Sequence, residues 1–276
     1  MTEHFETNAI DSPRLISEML LTHIFSGKRI DLYANADRIA TDAELKTLRL
    51  YVKRSIENEP VQYIVGKAWF NGMEFDVDSS TLIPRTCTET IVDQALQFAT
   101  QSSSSPIRIA DIGTGSGCIA VSIAANLRSS NITATDISEN ALKLAEKNAV
   151  THGVENQLSF LQGNGVEPII SLAPFDIICS NPPYIPDSEI TQVAPNIGDW
   201  EPKLALSGGV DGLDIIRPLI ENAPNYLVRG GLLLIEIASS TKDEVLQLAT
   251  SNQLLFDAKI LRDRFGDDRF LRALRS

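Results

Sequence analysis

The sequence predicts an α/β fold, a mostly parallel sheet with an antiparallel last strand, preceded by a small helical domain and a β-hairpin. Three observations carry that reading. Apolar residues before about position 60 recur at helical spacing, Asn71-Gly72 lies between two short alternating runs, and after Pro106 short apolar runs alternate with helical patterns. Strands alternating with helices form a parallel sheet covered on both faces. The 276 residues suit two domains at roughly 100 to 200 residues each. The changes of texture divide the chain into a helical domain 1–60, a hairpin and linker 61–105, and an α/β domain 106–276.

In the first segment Leu15, Ile16, Met19, Leu20 and Ile24, then Leu45, Leu48, Tyr51, Val52 and Ile56, mark the apolar faces of helices. Ser12-Pro13 reads as an N-cap followed by a first-turn proline. Asn71-Gly72 suits a type I′ turn, whose two central residues both take positive φ. The run Ser102–Ser105 is the one stretch of low complexity and precedes Pro106. Strands are then expected over Ile107–Asp111, Ile132–Asp136, Leu158–Leu161, Phe175–Cys179 and Leu232–Ile237. Helices are expected from just after Gly115 to Leu127, from a Ser138 cap to about His152, and from Asp214 to Val228. Phe256–Leu261 and Phe270–Leu274, joined by RDRFGDD, allow the antiparallel finish.

Composition excludes several classes. No apolar run approaches the ~20 residues that span a bilayer, so no membrane association is expected. The opening MTEHFETNAIDSPR carries acids where a targeting peptide has basic and apolar residues. Cys87, Cys118 and Cys179 form no CxxC pair and no zinc spacing, so no metal site is expected. These points favour a reduced, cytoplasmic protein. The 24 basic and 36 acidic residues give a net charge of −12, which disfavours a polyanion and favours a small-molecule or protein partner.

IADIGTGSGCIAVSIA places Gly113, Gly115 and Gly117 between a strand and a helix, with Thr114 and Ser116 between them. Such a loop lets backbone approach a ligand, and the helix start offers unsatisfied N–H groups. Asp136 ends the next strand about 20 residues on, where a carboxylate can accept ribose hydroxyls. The spacing is G-x-G-x-G rather than the dinucleotide G-x-G-x-x-G, and Asp111 would sit badly beside a pyrophosphate. A carboxylate there suits a cofactor carrying an ammonium and a sulfonium. That cofactor is S-adenosylmethionine, and the pattern resembles motif I of the class I methyltransferases.

DIICSNPPYIPD runs from an apolar strand into Asn181-Pro182-Pro183-Tyr184. The prolines remove two backbone donors and fix φ, leaving a rigid set of carbonyl acceptors. With the Asn181 side-chain carbonyl, they suit a planar NH2 group. NPPY behind GTGSG resembles the methyltransferases that act on exocyclic or amide nitrogens. PVQYIVG (60–66), FNGMEF (70–75), LIPR (82–85) and EPKLALSGGVDGLDIIR (201–217) resemble the HemK/PrmC family, as does DSPRLISEMLL near the start.

The resemblance implies a class I, Rossmann-like methyltransferase fold. The implied activity is transfer of a methyl group from S-adenosylmethionine to the side-chain N5 of the glutamine in the GGQ motif of class I peptide chain release factors. It implies Asn181, Pro182 and Tyr184 as catalytic, and Asn181 to Tyr184 as substrate-binding. It also implies Asp111, Gly113 to Gly117, Asp136, Asn164, Gly165 and Asn181 around the cofactor, and a substrate-recognition role for the helical domain. Where that family reads IPRPETE this chain has IPRTCTE, with Thr86 and Cys87; Gly163-Asn164-Gly165-Val166 replaces G-D-x-F, and Glu236-Ile237-Ala238 replaces EIG. Two other readings share part of the pattern: an adenine-N6 nucleic-acid methyltransferase, and a release-factor-binding protein without turnover.

Overall fold

The computed structural model describes residues 1–102 and 104–276. Ser103, inside the serine run, lies outside the described residues. The chain divides into two compact units, Met1–Lys67 with Val193–Trp200, and Ala68–Gln192 with Glu201–Ser276.

The first unit is helical: α1 (Thr2–Thr7), α2 (Pro13–Ile24), α3 (Arg29–Ala34), α4 (Asp42–Ile56) and α5 (Val61–Val65). Its core joins Phe5 and Leu20 to Val61, Ile64 and Val65, with Leu48, Tyr51 and Val52 packed alongside. The helical unit therefore runs past position 60. α4 opens on a reciprocal cap: Thr41 Oγ1 accepts from Glu44 N at 3.3 Å, and Glu44 Oε2 accepts from Thr41 N at 2.8 Å. Ser12 differs from its expected role. It is left-handed at φ 52°, and its hydroxyl makes no cap bond, so Pro13 alone marks the start of α2.

β1 (Lys67–Phe70), in the second unit from Ala68 onward, and β2 (Met73–Asp76) form the hairpin. Asn71 and Gly72 have φ of 49° and 72°, as a type I′ turn requires. Phe70 and Phe75 are buried in one core with Ile91, Val92 and Ala95 of α6 (Glu89–Gln101) and with Ile109. Most of segment 61–105 is thus built into the α/β unit. The sheet is formed by β3 (Ile107–Ile112), β4 (Ser130–Asp136), β5 (Leu158–Gln162), β6 (Phe175–Ser180), β7 (Leu227–Glu236), β8 (Leu255–Arg262) and β9 (Asp268–Arg275). Its order is β5-β4-β3-β6-β7-β9-β8. All pairings are parallel except the two that β9 makes, with β7 and β8.

Helices α7 (Cys118–Asn126), α8 (Glu139–Thr151), α10 (Ile216–Asn222) and α11 (Lys242–Ser251) alternate with the strands, while the single turn α9 (Pro195–Gly198) lies in the first unit's segment. Ser138 caps α8, accepting from Ala141 N at 3.2 Å. The expected helix Asp214–Val228 is much shorter. Pro224 cannot continue a helix, so Ala223–Tyr226 tightens into a 3-10 turn and Leu227 already opens β7. Likewise α7 starts at Cys118 rather than just after Gly115, because Gly117 is left-handed. No helix among the described residues is long and apolar enough to cross a membrane.

Candidate active site

The site grows from the two central strands. β3 and β6 are neighbours, with Ile112 opposite Ser180, and the Ser180 hydroxyl donates to the Ile112 carbonyl at 2.7 Å. The chain leaves β3 towards β4 on one side and leaves β6 towards β7 on the other. Loops that part at such a switch point open a crevice at the carboxyl ends of the strands. Here the two loops are Gly113–Gly117 and Asn181–Tyr184.

The glycine loop is strapped to β4. Gly113 N and Thr114 N donate to the Thr135 carbonyl at 2.9 and 2.8 Å, and Gly115 N donates to Asp136 Oδ2 at 2.9 Å. Asp136 Oδ1 accepts from Ser138 N at 2.9 Å, so both carboxylate oxygens are oriented by backbone. Gly113, Gly115 and Gly117 all have positive φ, but they do different work. A Cβ on Gly113 or Gly115 would meet nothing within 4 Å, whereas one on Gly117 would stand 3.0 Å from Ala145 Cβ. The first two open a cradle; Gly117 lets α7 approach α8.

Between the loops lies a cavity of about 500 Å3. Its wall includes Gly113, Thr114, Gly115 and Ser116, then Asp136, Asn164 and Gly165, and Asn181, Pro182 and Pro183. Asp111, Gly117 and Tyr184 do not line it. Asp111 is fully buried beneath the loop, where Thr114 Oγ1 donates to its Oδ2 at 2.7 Å. Burial pushes its carboxyl up to about 6, with the Thr114 hydrogen bond opposing the rise. It therefore braces the loop from below and does not face the cavity, contrary to the expectation of contact with the cofactor's ammonium.

On the other wall, Asn181 Nδ2 donates to Thr88 Oγ1 at 3.2 Å, and Thr88 Oγ1 donates to Glu236 Oε2 at 2.7 Å. Glu236, the last residue of β7, is fully buried, and its Oε1 accepts from the Tyr184 hydroxyl at 3.1 Å. Tyr184 is thus turned inward, against the expectation that it packs on substrate. Its side chain packs against the core on that side of the sheet, and burial pushes its phenol up. Behind the NPPY turn, Ile185 N donates to Leu206 O at 3.0 Å and Gly208 N to Ile185 O at 2.8 Å. A Cβ on Gly212 would fall 2.6 Å from the Tyr184 carbonyl and one on Gly208 2.8 Å from Tyr184 Cα, so both glycines must stay bare to back the turn. Arg85 reaches the cavity and pairs with buried Glu201, Nη2 to Oε1, at 2.5 Å. Glu201 Oε2 also accepts from Ile83 N at 3.3 Å, which joins the LIPR and EPKL segments.

Thr88, Glu236, Glu201 and Ile137 are the residues that sequence reasoning passed over. Ile137 follows Asp136 in the cavity wall and is 48% exposed, an apolar platform beside the carboxylate. Its position after the acid was a usable signal. Thr88, Glu236 and Glu201 stood in motifs quoted as whole strings, with nothing local to separate them from their neighbours.

Two family models match the chain, the PrmC N-terminal domain over residues 1–66 and the methyltransferase small domain over residues 88–197. A release factor glutamine methyltransferase of Chlorobaculum tepidum is 36% identical over 274 residues, covering 97% of this chain and 92% of that protein. One of Nitratidesulfovibrio vulgaris is 37% identical over 275 residues, covering 99% of this chain and 92% of that protein. Among solved structures, a methyltransferase from Pyrococcus furiosus shares the fold with a TM-score of 0.52 at 17% identity, over 83% of this chain and 97% of that one. With relatives of this name 36–37% identical over nearly the whole chain, and the PrmC N-terminal domain matched over residues 1–66, the chain belongs to the release factor glutamine methyltransferase family.

Proposed function

We propose that the protein transfers a methyl group from S-adenosylmethionine to the side-chain N5 of the glutamine in the GGQ tripeptide of class I peptide chain release factors, in the cytoplasm. The observation that carries this reading is the Asn181 amide, tethered to Thr88 in the wall of the cavity that the glycine loop and Asp136 also line.

The cofactor fits the residues present. Gly113 and Gly115 leave an open cradle that a Cβ would enter, and Asp136 keeps lone pairs beyond those used by Gly115 and Ser138 for two ribose hydroxyls. Ile137 offers an apolar face to the adenine, with Asn164 and Gly165 beside it in the wall. Bound there, S-adenosylmethionine supplies an electrophilic methyl group on a sulfonium.

The protein's own residues supply orientation. An amide nitrogen is a poor nucleophile because its lone pair is delocalised, so placement matters more than basicity. Asn181 Oδ1 and the Pro182 carbonyl accept the two N–H bonds of the glutamine, hold the nitrogen in place and favour positive charge developing on it. Pro182 and Pro183 keep these acceptors rigid. Tyr184 acts from behind, through Glu236. The helical unit 1–67 recognises the release factor, and with a net charge of −12 no direct contact with nucleic acid is required.

Incubation with methyl-labelled S-adenosylmethionine and either an intact release factor or duplex DNA, followed by mass-spectrometric mapping, tests the reading. Label is expected on the GGQ glutamine. Label on adenine, or on neither, overturns it.

A further inference from the structure

Asn181 can present either of two opposite faces to a substrate amide. Its Oδ1 would accept from the glutamine NH2; its own NH2 would oppose it, donor against donor. Rotating the side-chain amide by half a turn changes shape very little, so packing alone does not choose between them. The choice must come from whatever bonds the other end of the amide.

That end meets Thr88, whose hydroxyl has one proton to give. Thr88 occupies the N-cap position of α6, where a threonine normally accepts from the first-turn N–H groups. Here it makes no such bond; its proton goes to Glu236 Oε2 at 2.7 Å. An ionised carboxylate has no proton of its own and can only accept. Polarity therefore runs one way along the chain, from Asn181 NH2 to Thr88 oxygen and from Thr88 O–H to Glu236.

We propose that Glu236, acting through the Thr88 hydroxyl, is a positioning residue that locks the Asn181 side-chain amide with its carbonyl oxygen turned to the substrate. The role rests on the reading of Asn181 as an acceptor for the glutamine amide. A protonated Glu236 would become a donor, Thr88 would be free to accept from it, and the amide would lose its fixed sense. Burial pushes Glu236 up to about 6, with the bonds from Thr88 and Tyr184 and the charges of Arg269 and Arg85 opposing the rise. The other titratable groups facing it are Cys87 and Cys118. The lock should therefore weaken as pH falls through about 6.

Three full-length variants test this against wild type. Thr88→Val removes the hydroxyl at nearly constant shape. Single-turnover methyl transfer to a release factor should fall about tenfold, with S-adenosylmethionine affinity by calorimetry unchanged within about twofold, and Thr88→Ser should recover most of the rate. Glu236→Gln keeps the shape but cannot titrate, so the acid limb of the wild-type rate profile, midpoint near about 6, should disappear. A merely structural role would leave that limb in place. Independently of activity, the 15N-edited side-chain amide signals of Asn181 should titrate with the same midpoint in wild type and stay still in Glu236→Gln. Wild-type rates in Thr88→Val, or an acid limb retained in Glu236→Gln, would overturn the lock. Should wild type label no release factor, the functional reading fails. The Asn181 signals then decide the lock alone, and signals that do not move in wild type overturn it.

Discussion

One wall of the cavity, from Gly113 to Asp136, comes from a single β-α-β stretch, and the side-chain bond that closes it, Gly115 to Asp136, spans 21 residues. The opposite wall is assembled from afar. Asn181 is tethered to Thr88, 93 residues away, and Thr88 to Glu236, 148 residues away. The first wall uses backbone N–H groups that any sequence supplies once glycines permit the turn. The second uses side chains whose donor and acceptor senses must agree across three segments of chain. Damage to the first should show as lost cofactor binding, and damage to the second as lost chemistry with binding intact.

The sharpest way to break that division is Asn181→Ala. Losing a preorganised polar contact at the reacting nitrogen is worth about 3 kcal/mol, so turnover should fall on the order of a hundredfold or more. S-adenosylmethionine affinity should change only a fewfold. A loss of binding as large as the loss of rate, seen by calorimetry, would merge the two walls into one.

Asp136→Ala attacks the other side. Hydrogen bonds to a charged group contribute about 1.5–3 kcal/mol, so S-adenosylmethionine should bind tenfold or more weakly while the circular dichroism of the fold is retained. Unchanged affinity would remove Asp136 from the cofactor's contacts.

Asp111 lies under the first wall, and its effect belongs to folding. Its carboxyl is raised from 3.8 to about 6 by burial, so the fold favours the protonated form. That contribution is complete below about 3.8 and lost as pH rises through about 6. Wild type should lose about 2 kcal/mol through this group between about pH 4 and pH 7. Asp111→Asn should flatten that part of the slope in urea melts. An unaltered slope would mean that the buried carboxyl is not what titrates.

The smallest expected effect is at Tyr184. Because its hydroxyl meets Glu236 rather than the cavity, Tyr184→Phe should slow methyl transfer only about threefold, the weight of one ordinary hydrogen bond. A loss as deep as that of Asn181→Ala would return Tyr184 to the substrate.

How far each wall could be read in advance follows from the same difference. The central strands β3, β4, β6 and β7 are visible as apolar runs because a strand covered on both faces is apolar along most of its length. The edge strands β5 and β8, by contrast, are partly exposed. The glycine loop is legible because positive φ at three alternate positions strongly favours glycine at Gly113, Gly115 and Gly117. The helix expected over Asp214–Val228 shows the limit. Its apolar period continues past Pro224, whose ring ends the helix and leaves Ala223–Tyr226 as a 3-10 turn ahead of β7. Segment 61–105 reads as a hairpin and linker on texture, yet Phe70, Phe75 and Ile91 share one core with Ile109.

The sequence by itself determined the α/β fold, the positive-φ turn of the glycine loop and the proline turn that ends β6. Each is a local consequence of backbone freedom or its loss. Only the tertiary structure decided that Asp111 lies beneath the loop instead of in the cavity, that Tyr184 turns to Glu236, and that Thr88 spends its proton away from its own helix. The physical reason is that a side chain's direction and its hydrogen-bond sense depend on the partner it meets. For Tyr184 and Thr88 that partner, Glu236, lies 52 and 148 residues away along the chain.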